Sequence, residues 1–120
     1  MQHAAQAYGK VAKQTSSPRD IEANLLLKAA ARLQALSDSW ESDRDQVDEV
    51  LLYNRKLWSI FLTSVTRQDN PLPDAVRQNV ANLGVFVMKQ TVSLMAEPKR
   101  EKLGALISIN RELAAGLLGR

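Results

Sequence analysis

The stretch Leu51-Leu52-Tyr53-Asn54-Arg55-Lys56-Leu57-Trp58-Ser59-Ile60-Phe61-Leu62 decides the fold. Its apolar residues recur at helical rather than alternating spacing, and the stripe Val47, Leu51, Asn54, Trp58, Phe61, Val65 follows i, i+4, i+7, i+11, i+14, i+18. That spacing predicts a long helix from about Asp43 to Arg67 or Gln68. Three of the chain's six aromatic residues fall within nine positions here. Trp58 and Phe61 share the inner stripe, whereas Tyr53 and Leu62 point toward a flank, so the apolar coverage is wider than one bundle seam requires. Such a helix is either the central core helix or a wall of a partner groove, and the core is the simpler reading.

The segments on either side of this helix are also helical. Upstream, Ser17-Pro18-Arg19-Asp20 is a helix start: Ser17 can cap, Pro18 needs no partner for a missing N–H, and Asp20 meets the helix dipole. The helix it opens should run to about Ser37, with Ile21, Leu25, Ala29, Leu33 and Leu36 inward and Arg19, Glu22, Lys28 and Arg32 outward. Before it, Gln2 to Lys13 carries only a thin stripe of Ala4, Tyr8, Val11 and Thr15, a weaker helix laid across the rest or covering a groove. Asp38 to Asp43 breaks the pattern. Downstream, Gln68-Asp69-Asn70-Pro71-Leu72-Pro73 is a turn, because each proline disfavours the α region before it and Asn and Asp favour turns. From Pro73 a further helix carries Val76, Val80, Leu83, Val87, Thr91 and Leu94. Leu72, Phe86 and Met88 widen its apolar face, which predicts neighbours on two sides. After Ala96-Glu97-Pro98 the last helix turns Leu103, Leu106, Ile107, Asn110, Leu113, Ala114 and Leu117 inward, with Gly119 able to stop it.

Four main helices joined by short connections predict an all-α, single-domain antiparallel helical bundle spanning residues 1–120, with the weaker N-terminal helix in addition. One core is what a chain of 120 residues supports. Gly84 and Gly104 fall inside helices, where glycine is unfavourable, so close helix approach is expected at both. Asn54 and Asn110 lie on apolar stripes, and a buried amide needs a hydrogen-bonding partner. An internal network that sets helix register is the preferred reading, ahead of a polar contact to a bound peptide.

Composition excludes much chemistry. The chain has no cysteine and one histidine, His3, which removes disulfides, thiol nucleophiles and the usual zinc sites. Asp43, Asp45, Asp48 and Glu49 cluster, but without a calcium-loop glycine or histidine partner they read as a solvated helix start. The serines sit where caps and turns belong, and no phosphate loop or dinucleotide fingerprint occurs. We therefore expect no enzyme, no cofactor and no metal. The net charge of +3 is a mild excess. Lys99, Arg100 and Lys102 gather at the start of the last helix, against its dipole, and are the candidate nucleic-acid contacts, although a solvated basic surface is the simpler account. The N-terminus has no signal-peptide pattern, and the central charge-free run, Gln78 to Met88, is only eleven residues, so a cytoplasmic protein without membrane contact is expected.

Ser17-Pro18-Arg19-Asp20-Ile21-Glu22-Ala23, Leu51-Leu52-Tyr53-Asn54-Arg55-Lys56-Leu57-Trp58, Asn70-Pro71-Leu72-Pro73, Asn79-Val80-Ala81-Asn82-Leu83 and Ile109-Asn110-Arg111-Glu112-Leu113-Ala114-Ala115-Gly116-Leu117 occur in this order. Together they resemble the FlaF family of alphaproteobacterial flagellar biosynthesis regulators, nearly end to end. The resemblance implies an all-helical cytoplasmic protein needed for flagellin production and filament assembly, working beside the opposing regulator FlbT. It also implies flagellin binding as a secretion chaperone, or post-transcriptional control of flagellin message through RNA, and no catalytic residues. Under the chaperone reading, Tyr53, Trp58, Phe61, Leu62 and Phe86 are candidate apolar anchors for flagellin, and Asn54, Arg55, Asn110 and Arg111 candidate polar contacts.

Overall fold

The computed structural model describes residues 17–119, and the expected helix over residues 2–13 and His3 lie outside them. Helix α1, Pro18–Asp38, starts on a capping box: the Ser17 hydroxyl accepts from the Asp20 amide and the Asp20 carboxylate accepts from the Ser17 amide, both at 3.2 Å. Helix α2, Val47–Val65, follows a short 3-10 turn at Arg44–Gln46 and carries Asp48 and Glu49 in its first turn. Helix α3 is Asp74–Ala96; a second 3-10 turn at Arg100–Lys102 leads into α4, Leu103–Leu117. Gly119, at φ 74°, takes the left-handed conformation that ends the chain's last helix. The described residues contain no strand, so the all-α expectation holds.

The turn between α2 and α3 is built by one side chain. Asn70 donates to the Ser64 carbonyl at 3.1 Å and accepts the Leu72 amide at 3.0 Å, holding Pro71 and Pro73 away from any helical path. Arg77 then reaches back to the Val65 and Arg67 carbonyls, both at 2.8 Å, and occupies the C-terminal end of α2. The helices run up and down in turn, and the close pairs are α1 against α4 and α2 against α3, with α1 also along α2. Helices α3 and α4 touch little. The molecule measures 45 × 42 × 22 Å, so it is about two helices thick.

Most of the expected stripes point inward. Val47, Leu51, Asn54, Trp58, Phe61 and Val65 are all buried, and α2 is the central helix. Two expectations need correction. In α1 the buried arc is Ala23, Leu26, Ala29, Ala30, Leu33 and Leu36, while Ile21 is 53% exposed and Leu25 is also at the surface. Three alanines on that arc allow close packing, which turns the bulkier Ile21 and Leu25 outward; Glu22 and Arg32, expected outside, are half-buried instead. Helix α3 was expected to have neighbours on two sides, yet it buries only Val80, Gly84, Val87, Thr91 and Leu94, the single seam that faces α2. The glycines also separate. A Cβ on Gly84 would overlap the Leu62 side chain, whose Cγ lies 2.8 Å away, whereas one on Gly104 would meet nothing within 4 Å. Close approach explains the first and not the second.

Candidate functional site

Where α3 and α4 part, an apolar groove of about 430 Å³ opens between them. The first half of α3 supplies Val76, Asn79 and Leu83; the second half of α4 supplies Glu112, Leu113, Gly116 and Leu117. Leu72 and Pro73 lie at one end, and Arg19 from the first turn of α1 stands at the same mouth. Beneath it Phe61, Val65 and Val80 form a floor with Leu72, Leu113 and Leu117, and Glu22 lies among them. At the opposite end the helices are tied together. Gln90 Nε2 donates to the Lys102 carbonyl at 3.2 Å, and Lys102 Nζ donates to Ser93 Oγ at 2.8 Å. The groove is thus closed at the α3–α4 turn and open at the other end. Its walls are mainly aliphatic, with polar and charged groups confined to Arg19, Asn79 and Glu112.

Burial raises the Glu22 carboxyl above its ordinary value, and the positive charge of Arg19 partly offsets this. Among the described residues Glu22 has no ion-pair partner within 4.0 Å. Asp69, at the turn between α2 and α3, is held below the usual carboxylate value by hydrogen bonds from Arg67 and by that residue's charge. No group of three or more potential metal ligands gathers among the described residues.

The candidate residues read from the sequence do not come together as one surface. Asn54, Trp58, Phe61 and Asn110 are in the interior, so the aromatic stretch of α2 is core and not the wall of a groove. Trp58 Nε1 donates to Asn110 Oδ1 at 2.8 Å, and Asn110 Nδ2 donates to Asn54 Oδ1 at 2.7 Å, the register-setting network the stripes call for. Asn54 Nδ2 ends this network without a partner among the described residues. Tyr53 lies under the Arg32 guanidinium, 4.4 Å from its centroid, beside α1. Leu62 packs on Gly84, and Arg55 is exposed on the outer side of α2. Arg111 faces α1, where it donates to Gln34 at 3.4 Å. Phe86 is 44% exposed and falls one heptad after Asn79 on α3, outside the residues that line the groove, whereas Phe61 takes part in the groove's floor. Of the basic cluster, Lys99 pairs with Glu97 at 3.4 Å and Lys102 is engaged with Ser93, which leaves Arg100 with no ion pair among the described residues.

Periodicity missed the groove because it assigns Val76, Leu83, Leu113 and Leu117 to the core by their place on a stripe. Only the divergence of two helices, set by contacts elsewhere, makes them a lining. The one local signal was Leu72 between two prolines, an apolar residue in a turn that no helix can bury.

An all-α bundle with a groove between two of its helices defines a class of helical protein without pointing to one chemistry. Compared with family models, residues 4–117 match flagellar protein FlaF, and the chain belongs to the FlaF family. It is accordingly a flagellar protein. No curated protein and no solved structure was found to match it. No helix among the described residues is long and apolar enough to cross a membrane.

Proposed function

We propose that this FlaF family protein is a cytoplasmic flagellin-binding secretion chaperone that promotes flagellin production and filament assembly, and that it holds an amphipathic helix of the unexported subunit in the α3–α4 groove. The observation that supports this reading is the groove itself, whose walls are aliphatic apart from Arg19, Asn79 and Glu112. Such a surface suits helix-in-groove docking, in which apolar residues at i, i+3, i+4 and i+7 of the guest enter the cleft and its polar face stays in water. Control of flagellin production follows by sequestration, without catalysis, and contact with FlbT belongs to the same reading. The apolar anchors are Val76, Leu83, Leu113 and Leu117. The RNA-binding alternative has less to build on, since two of its three candidate cations are already engaged.

Isothermal titration with monomeric flagellin at two salt concentrations tests the proposal, with the flagellin message leader titrated in parallel. The expected result is saturable flagellin binding with a negative heat-capacity change and little salt dependence. Val76→Asp puts a charge at an exposed position of the wall and should weaken binding by about tenfold, roughly 1.4 kcal/mol, with circular dichroism unchanged. Message binding that falls steeply with salt, in the absence of flagellin binding, would overturn it.

A further inference from the structure

We propose that the outer flank of α3 pairs with the same flank of a second copy of the chain, antiparallel about a two-fold axis near Met88. Ala81, Val85, Met88, Val92 and Met95 follow i, i+4, i+7, i+11, i+14, the 3.5-residue spacing of a coiled-coil seam. The stripe lies beside the seam that α3 buries against α2, on the side away from Val76, Asn79 and Leu83, so pairing leaves the α3–α4 groove open. Val85 is 52% and Val92 61% exposed, and Met88 and Met95 are only partly buried. A helix face left to water is normally rich in charge. From Gln78 to Ala96, however, α3 carries a single charged residue, Lys89, at the edge of the stripe, where its stem can cover the seam while the ammonium stays in water. The apolar breadth of α3 therefore exceeds what α2 uses.

A second copy fits because the stripe is complementary to itself. Antiparallel pairing about Met88 sets the small Ala81 against the long Met95 and Val85 against Val92, with Met88 facing its own copy on the axis. The same pairing opposes the two helix dipoles and brings Asp74, in the first turn of α3, toward the turn that holds Lys99 and Arg100 in the copy. The stripe spans about 21 Å of helix, and a seam of that length falls short of the roughly 800 Å² per partner of a stable complex. The dimer is accordingly weak, with a dissociation constant on the order of 100 μM.

The absence of native cysteine makes the test direct. On mild oxidation of the full-length chain, Met88→Cys should give a disulfide-linked dimer in about tenfold the yield of Ile60→Cys, whose site is 60% exposed but off the stripe. Ala81→Cys and Met95→Cys each lie about 21 Å from their own counterparts across the axis, so they should link efficiently only when the two proteins are mixed. Sedimentation equilibrium of the wild-type chain should show a concentration-dependent dimer. Val85→Lys with Val92→Lys, both at exposed positions, should weaken it about tenfold or more with circular dichroism unchanged. A wild-type chain that stays monomeric up to about 1 mM, or a dimer that the two lysines leave intact, would overturn the proposal. Self-linkage of Ala81→Cys as efficient as its mixture with Met95→Cys would make the pairing parallel and overturn it too. So would faster linkage through Phe86→Cys than through Met88→Cys, which would move the interface to the groove side of α3.

Discussion

Asn110 sits at the centre of the core's polar chain, and its chemistry dictates the direction of every bond in it. Trp58 can only donate, so Asn110 must present its oxygen there and its nitrogen to Asn54, which must answer with oxygen and leave its own Nδ2 unpaired. Asn110→Ala strands the Trp58 N–H and the Asn54 oxygen in a cavity. It should cost about 2–4 kcal/mol in equilibrium urea unfolding. With Asn54→Leu added, the loss should be smaller than the sum of the two single effects, since the second change removes a group the first has orphaned. Glu22 makes a different prediction. Its folded-state pKa is raised by burial, so the native protein holds this proton more tightly than the unfolded chain does. The residue therefore costs stability at neutral pH, and that cost disappears as pH falls through the raised folded value toward the ordinary carboxylate value. Glu22→Gln should raise the thermal midpoint at pH 7, with the difference from wild type shrinking toward about pH 4.

Helices read from periodicity were found almost where expected, because caps and prolines act locally. The Ser17 capping box, the Asn70 turn and the Gly119 stop are all written within a few residues of where they operate. Rotation about a helix axis was less legible. Ile21 and Leu25 fit an apolar stripe as well as Ala23 and Leu26 do, and only the closeness with which α4 packs on small residues decides between them. The two interior glycines show the same limit, since their sequence contexts gave no means of telling them apart. Gly84→Ala should destabilise the protein despite the better helix propensity of alanine, because Leu62 must move, and Leu62→Ala should relieve much of that penalty in a double-mutant cycle. Gly104→Ala has free space around it and should stabilise by about 0.5 kcal/mol. Thermal unfolding of the four variants checks the contrast.

Across the whole molecule, stability should be unevenly spread. Helix α2 lies at the centre of the core and carries most of the polar network, whereas α3 buries a single seam and meets α4 chiefly at their shared turn. Native-state hydrogen exchange should accordingly show the greatest protection in α2, and the least helical protection in the first turns of α3 and the last turns of α4. The central place of α2 was legible in its stripe, but the groove was not: it exists because two helices whose stripes both read as core do not meet along their length. Their arrangement is that of a clothes peg. The Gln90–Lys102 and Lys102–Ser93 bonds are the pivot, and Val76 and Leu117 are the jaws. By lever geometry, any small change of angle at the pivot translates into a larger change of width between Val76 and Leu117, so two bonds at one end set the gauge of the whole cleft.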